Sequence, residues 1–164
     1  MNIKIYRNLL AHPNALDTWA VVEVGAGRRT IFVNDADHVS SRVVDFPSFV
    51  FLLKFYSFFR DSYDFSWMCT ALKNPFENHT LYGLVLPNTD SMGLICLGEH
   101  GWHTYPDPFA LARDVVDIFW RTAFSVTCEA EDMLLMPGSK VMVAKIPILT
   151  KLTGDYQCIQ SQKI

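Results

Sequence analysis

Cys96 is the residue whose neighbours best equip it for chemistry. It stands in Gly93-Leu94-Ile95-Cys96-Leu97, and Asn88 precedes it with seven residues between. A thiolate attacks carbonyl carbon, and an asparagine amide can donate a hydrogen bond to the oxyanion that forms. A cysteine behind an apolar approach and a tight turn, with an asparagine close by, has the minimum parts of a thioester-forming site. An ordinary cysteine thiol, with a pKa of about 8.5, is thiolate only in small part at neutral pH, so such a site gains from a nearby base or positive charge. His100 and His103 follow the cysteine closely, and either could take a proton from an incoming amine. Asp90 and Glu99 offer carboxylates for the same task. Plainer roles stand beside these: Cys96 as an inert thiol, Asn88 as a turn-former bonded to its own backbone, and the two histidines as polar loop residues.

The rest of the composition narrows the function classes. The chain has 164 residues, half of them hydrophobic and 19% charged, which suits one domain with a sizeable core. A net charge of −3 gives no basic footprint for nucleic acid. The most apolar run, Phe49 to Phe59, is interrupted by Lys54 and is too short to cross a bilayer. The start of the chain lacks the apolar core and small-residue cleavage site of a signal peptide, so a cytoplasmic location is expected. The four cysteines, Cys69, Cys96, Cys128 and Cys158, form no C-x-x-C pair, so they read as free thiols rather than zinc ligands. With no Gly-rich phosphate loop either, no cofactor or metal is expected.

The elements that would position the site read as follows. Residues 3–7, 18–24 and 30–34 are strand candidates, with Gly25-Ala26-Gly27-Arg28 as the hairpin connection between the last two. Residues 35–48 read as loop. Phe49–Tyr56 is densely apolar and could be a strand or a short helix, its aromatic content favouring strand. Residues 66–72 and 81–85 are further strands, the second entering the turn at Pro87-Asn88. One helix is expected from Phe109 to about Phe124, with Asp107 as cap and Pro108 at its first position. Its face of Arg113, Asp114, Asp117 and Arg121 reads as solvated. Residues 140–146 and 156–160 return to strand-like patterns. The whole reads as a single domain over 1–164, with 126–164 a β-rich C-terminal extension or arm.

Pro87, Asn88, Gly93, Ile95, Cys96 and Leu97 stand at the offsets of the active-site signature of ubiquitin-conjugating enzymes, which this stretch resembles. That family has a His before the Pro-Asn pair, where this chain has Leu86. His12-Pro13-Asn14 repeats the missing triplet, but no cysteine follows it at the right distance. Strands before the Pro-Asn turn, a helix after the Cys, and Trp102 downstream are also similar to the family. With Ala71-Leu72, Thr80-Leu81-Tyr82, Gly93 to Gly98, Phe119-Trp120 and Phe124 added, residues 47–125 are similar to protein B of the PRTRC systems, which are bacterial and carried on mobile elements. The resemblance implies an α+β domain of the ubiquitin-conjugating kind, an antiparallel β-meander with a helix after the Cys-containing turn. It implies a ubiquitin-like protein held as a thioester on Cys96, with Asn88 at the oxyanion. An activating-enzyme-like protein and a JAB-type peptidase would be its companions. Against the family plan, the chain opens on a strand rather than a helix and ends β-rich rather than helical.

Two expectations result. One is a ubiquitin-conjugating-like transferase, or a regulatory relative, using Cys96, Asn88, His100 and His103. The other is a non-catalytic assembly protein, part of a virion or a multiprotein complex, that self-associates through its C-terminal arm. The aromatic content, the β-like end and the missing His motivate the second.

Overall fold

In the computed structural model the described residues are 1–8, 17–35, 38–56, 62–76, 80–86, 89, 94–98, 103–125, 149–150 and 156–164. Ten strands and one helix lie among them: β1 (Asn2–Asn8), β2 (Thr18–Val24), β3 (Gly27–Asp35), β4 (His38–Phe46), β5 (Phe49–Tyr56), β6 (Asp64–Ala71), β7 (Thr80–Leu81), α1 (Pro108–Arg121), β8 (Ala123–Ser125), β9 (Leu149–Thr150) and β10 (Tyr156–Lys163). Eight strands make two sheets, ordered β10-β1-β2-β5-β6 and β4-β3-β8, and β7 pairs with β9. The architecture is predominantly β, which corrects the α+β expectation. The loop expected over residues 35–48 is largely strand β4, and residues 156–163 form an edge strand paired with β1.

The hairpin expected at residues 25–28 is also corrected. Val24 faces Phe49 and Gly27 faces Phe46, so β2 and β3 run on in the same register against β5 and β4. Residues 18–35 and 38–55 are therefore the two arms of one long hairpin. Its reversal lies between Asp35 and His38, which still face each other. What occurs near Gly25 is a bend that splits the hairpin between two sheets. Pro47 has no N–H to give the ladder there. The Ala26 N–H is satisfied by the Ser48 hydroxyl oxygen instead, at 3.0 Å.

The five-stranded sheet is covered on both faces. On one, Ile3, Ile5, Ala20, Val22, Phe49, Phe51, Leu53, Phe55 and Met68 share a buried core with Leu111, Ala112, Val115, Val116 and Phe119 of α1. On the other, Tyr6, Trp19, Val21, Val50, Leu52, Cys69 and Ala71 form a second cluster, flanked by Trp67, Phe76 and Tyr156. Burial on both faces explains why β2 and β5 are nearly continuous apolar runs without alternation. The Phe51 ring meets Phe119 edge-on at 4.7 Å and Trp120 at 5.9 Å. Arg29 lies over the Trp120 face, 5.1 Å from its centroid.

Helix α1 starts as expected. The Asp107 carboxylate accepts from the N–H groups of Phe109 and Ala110, and Pro108 occupies the first turn. It ends earlier than the apolar pattern suggested. The Thr122 N–H closes on Ile118 and Phe119 carbonyls in an extended conformation. Ala123–Ser125 then pair parallel to β3, so Phe124 enters the core from a strand. The strand expected at 140–146 lies outside the described residues. Among the described residues no helix is long and apolar enough to cross a membrane.

Phe51→Ala is expected to cost about 3–5 kcal/mol, the usual penalty for emptying an aromatic core site. Asp107→Ala should cost about 1 kcal/mol by uncapping α1. Urea unfolding curves with unchanged slopes would measure both.

Candidate functional site

The segment Leu94–Gly98 runs along the outer edge of β6. Leu94 faces Cys69 across the edge, and the Ile95 N–H donates to the Met68 carbonyl at 2.9 Å. Extended backbone points alternate side chains to opposite sides. Ile95 and Leu97 accordingly enter the helix-side core. Cys96 between them points the other way and is exposed. Gly98 follows with φ +78°, a left-handed conformation that glycine adopts without a side-chain clash. The thiol thus rides on a short stretch pinned by two buried neighbours and a ladder hydrogen bond.

Thr89 pairs with Ile95 in an isolated antiparallel bridge. Asn88 lies outside the described residues, as do His100, Asp90, Glu99, Trp102 and Gly93. Leu86, where the resembled family has His, is 2% exposed within the helix-side core. An apolar residue suits that position, since a histidine there would have to bury its ring nitrogens among aliphatic side chains.

The chain rejoins the β6 edge at Tyr105. Tyr63 and Tyr105 exchange backbone hydrogen bonds of 2.8 and 2.9 Å, and the Thr104 hydroxyl donates to Asp64 at 2.7 Å. Exposed Cys96 directly follows Ile95, and exposed His103 lies two residues before Tyr105. Cys96 and His103 therefore flank one stretch of the β6 edge. The Tyr105 hydroxyl donates to Asp114 of α1. This bond, aided by desolvation and the Asp114 charge, raises the phenol above its ordinary pKa. It ties the Tyr105 segment to the helix.

The three described thiols differ in environment. Cys69 is buried in the aromatic-side cluster, and burial pushes its thiol up to about 12. Cys158, on β10, is exposed like Cys96. Cys128 lies outside the described residues. Among the described residues no group of three or more His, Cys, Asp or Glu is placed to hold a metal ion.

One constellation escaped the sequence reading. Lys54 of β5 lies on the aromatic side of the sheet, over the Trp19 ring at 4.6 Å, and pairs with Asp17. The Tyr156 hydroxyl of β10 donates to that same carboxyl. The available signal was the lysine itself, since a cation inside an otherwise apolar strand demands a partner. In the sequence it served only as the residue interrupting a hydrophobic run.

Comparison with family models, with curated proteins and with solved structures gives no match for the chain.

Thiol-reactive labelling of the native protein should modify Cys96 and Cys158 within the time that leaves Cys69 untouched, and Cys69 should react only on unfolding. Peptide mass mapping reads the order directly.

Proposed function

We propose that the protein carries an acyl group as a thioester on Cys96 and passes it to an amine, the acyl donor being the C-terminus of a ubiquitin-like protein. The observation that carries this reading is the exposed Cys96 held between buried Ile95 and Leu97 on the edge of β6. A nucleophile on a rigid, anchored segment loses little freedom when it meets its electrophile. The Cys96 thiolate attacks the donor's thioester carbonyl, expels the donor's thiolate and keeps the acyl group. An amine then attacks the new thioester and regenerates the thiol. His103, exposed and two residues before the Tyr105 bridge to β6, is the candidate for taking the amine's proton. Asn88 keeps the oxyanion role that the resemblance implies, and His100, just after the cysteine in sequence, is a second candidate for the proton. An activating-enzyme-like protein would supply the donor thioester.

Offered a ubiquitin-like protein as its C-terminal thioester, the chain should form an adduct that thiol reductants release. Cys96→Ala should abolish the adduct. Cys96→Ser should convert it to an ester that resists them. His103→Ala should leave loading intact while slowing discharge to a free amine on the order of tenfold or more. Adduct formation that persists in Cys96→Ala would overturn the reading.

A second reading, self-association in a larger assembly, is favoured by β10. That strand closes one edge of the five-stranded sheet, and every residue after Tyr156 in it is exposed. An eight-residue edge strand presents a backbone ladder that another chain could extend. On this reading the oligomer seen by light scattering survives Cys96→Ala. It dissociates when proline replaces Ile159 or Ser161. A monomer at all working concentrations would exclude it.

A further inference from the structure

Lys54 is enclosed for a cation. Its side chain is only 17% exposed and its Asp17 partner only 25%. Trp19 lies beneath its ammonium group. Trp67, directly across from Lys54 on β6, meets the Trp19 ring edge-on at 4.9 Å. Asp17 Oδ1 is buried and has the Lys54 ammonium as its neighbour, with no other hydrogen-bond partner among the described residues. Oδ2 accepts from the Tyr156 hydroxyl. An ammonium and a carboxylate so enclosed lose much of their hydration, and proton transfer between them, giving amine and acid, relieves that cost. Desolvation already lowers the Lys54 pKa to about 8, which brings the free amine within reach near neutral pH.

We propose that Lys54 and Asp17 condense to an intramolecular amide, an isopeptide bond across the base of the long hairpin. Proton transfer within the pair leaves a neutral ε-amine and a neutral carboxylic acid. The amine nitrogen attacks the Asp17 carbonyl carbon, and the Tyr156 hydroxyl, already bonded to Oδ2, stabilises the oxyanion that develops there. Oδ1 holds the proton it received from the ammonium. It takes a second from the attacking nitrogen and leaves as water, while the C–N bond remains. Nothing is oxidised or reduced, and no co-reactant is needed. The Trp19 and Trp67 rings favour the product by keeping water from the carbonyl, and the neutral amide no longer places charge against them. The bond joins the residue just before β2 to β5, so it clasps the two arms at the end opposite their reversal.

Intact-mass measurement on the purified full chain tests this without any substitution. The expected mass is one water below that of the sequence. A proteolytic digest should hold a branched peptide joining the Asp17 and Lys54 segments, with no tryptic cleavage after Lys54 and no reaction of Lys54 with amine reagents. Lys54→Arg should restore the full mass. Tyr156→Phe should raise the unlinked fraction several-fold while leaving the chain folded. A full sequence mass with Lys54 open to reductive methylation would overturn the proposal. So would a water loss that maps to Asp17 alone, as in a succinimide, or one that persists in Lys54→Arg.

Discussion

The two arms of the hairpin, residues 18–35 and 38–55, keep one antiparallel register along their whole length. Everything else is placed against that ladder. A slip by one residue would turn Phe51 and Leu53 from the helix side to the aromatic side, and Leu52 and Lys54 the other way. The register is held because both sides are filled with shapes that do not interchange. The helix side takes aliphatic and phenylalanine side chains against α1. The opposite side takes Trp19, Tyr6 and Lys54 with its carboxylate partner. The bend at Gly25 and Pro47 then lets one hairpin serve two sheets, so the outer half pairs with β8 after the helix has crossed.

The site inherits its geometry from this arrangement. Strand β6 is positioned by β5, with which it pairs through one irregularity between Lys54 and Phe55. The cysteine segment is positioned in turn by β6. Its alternation of buried Ile95, exposed Cys96 and buried Leu97 follows from the side of the sheet that α1 covers. Cys69 shows the contrast. It lies on the neighbouring strand in a fully packed environment, where burial disfavours the thiolate that chemistry would need. Two thiols close in the fold are thus separated in reactivity by which surface each meets.

Much of this was legible residue by residue. Thr18–Val24 and Phe49–Tyr56 appear as read, and β1, β3 and β6 differ from their readings mainly at the ends. The Asp107-Pro108 start of α1 follows from local chemistry, since a carboxylate cap and a proline at the first turn act within a few residues. The errors arose where pairing partners are distant. Residues 38–46 are polar enough to read as loop, and only the facing β3 makes them a strand. Gly25 and Gly27 suggest a reversal, yet the chain bends there and reverses ten residues later. Residues 156–163 carry little apolar pattern, and β1 is what orders them. The apolar pattern past Arg121 is helical in period but is taken up by β8. These strands moved the balance from α+β to predominantly β.

The amino-acid sequence by itself determined the local features: an apolar core in quantity, the cap of α1, a cysteine framed by apolar neighbours, and an aspartate, a lysine and a tyrosine far apart along the chain. The tertiary structure decided which of these meet. It buried Leu86, exposed Cys96 and His103, and brought Lys54, Asp17 and Tyr156 together from three separate segments. The physical reason is range. Capping, turn chemistry and apolar periodicity act over a few residues. Sheet order and the faces it covers depend on contacts between segments more than a hundred residues apart, such as β1 with β10.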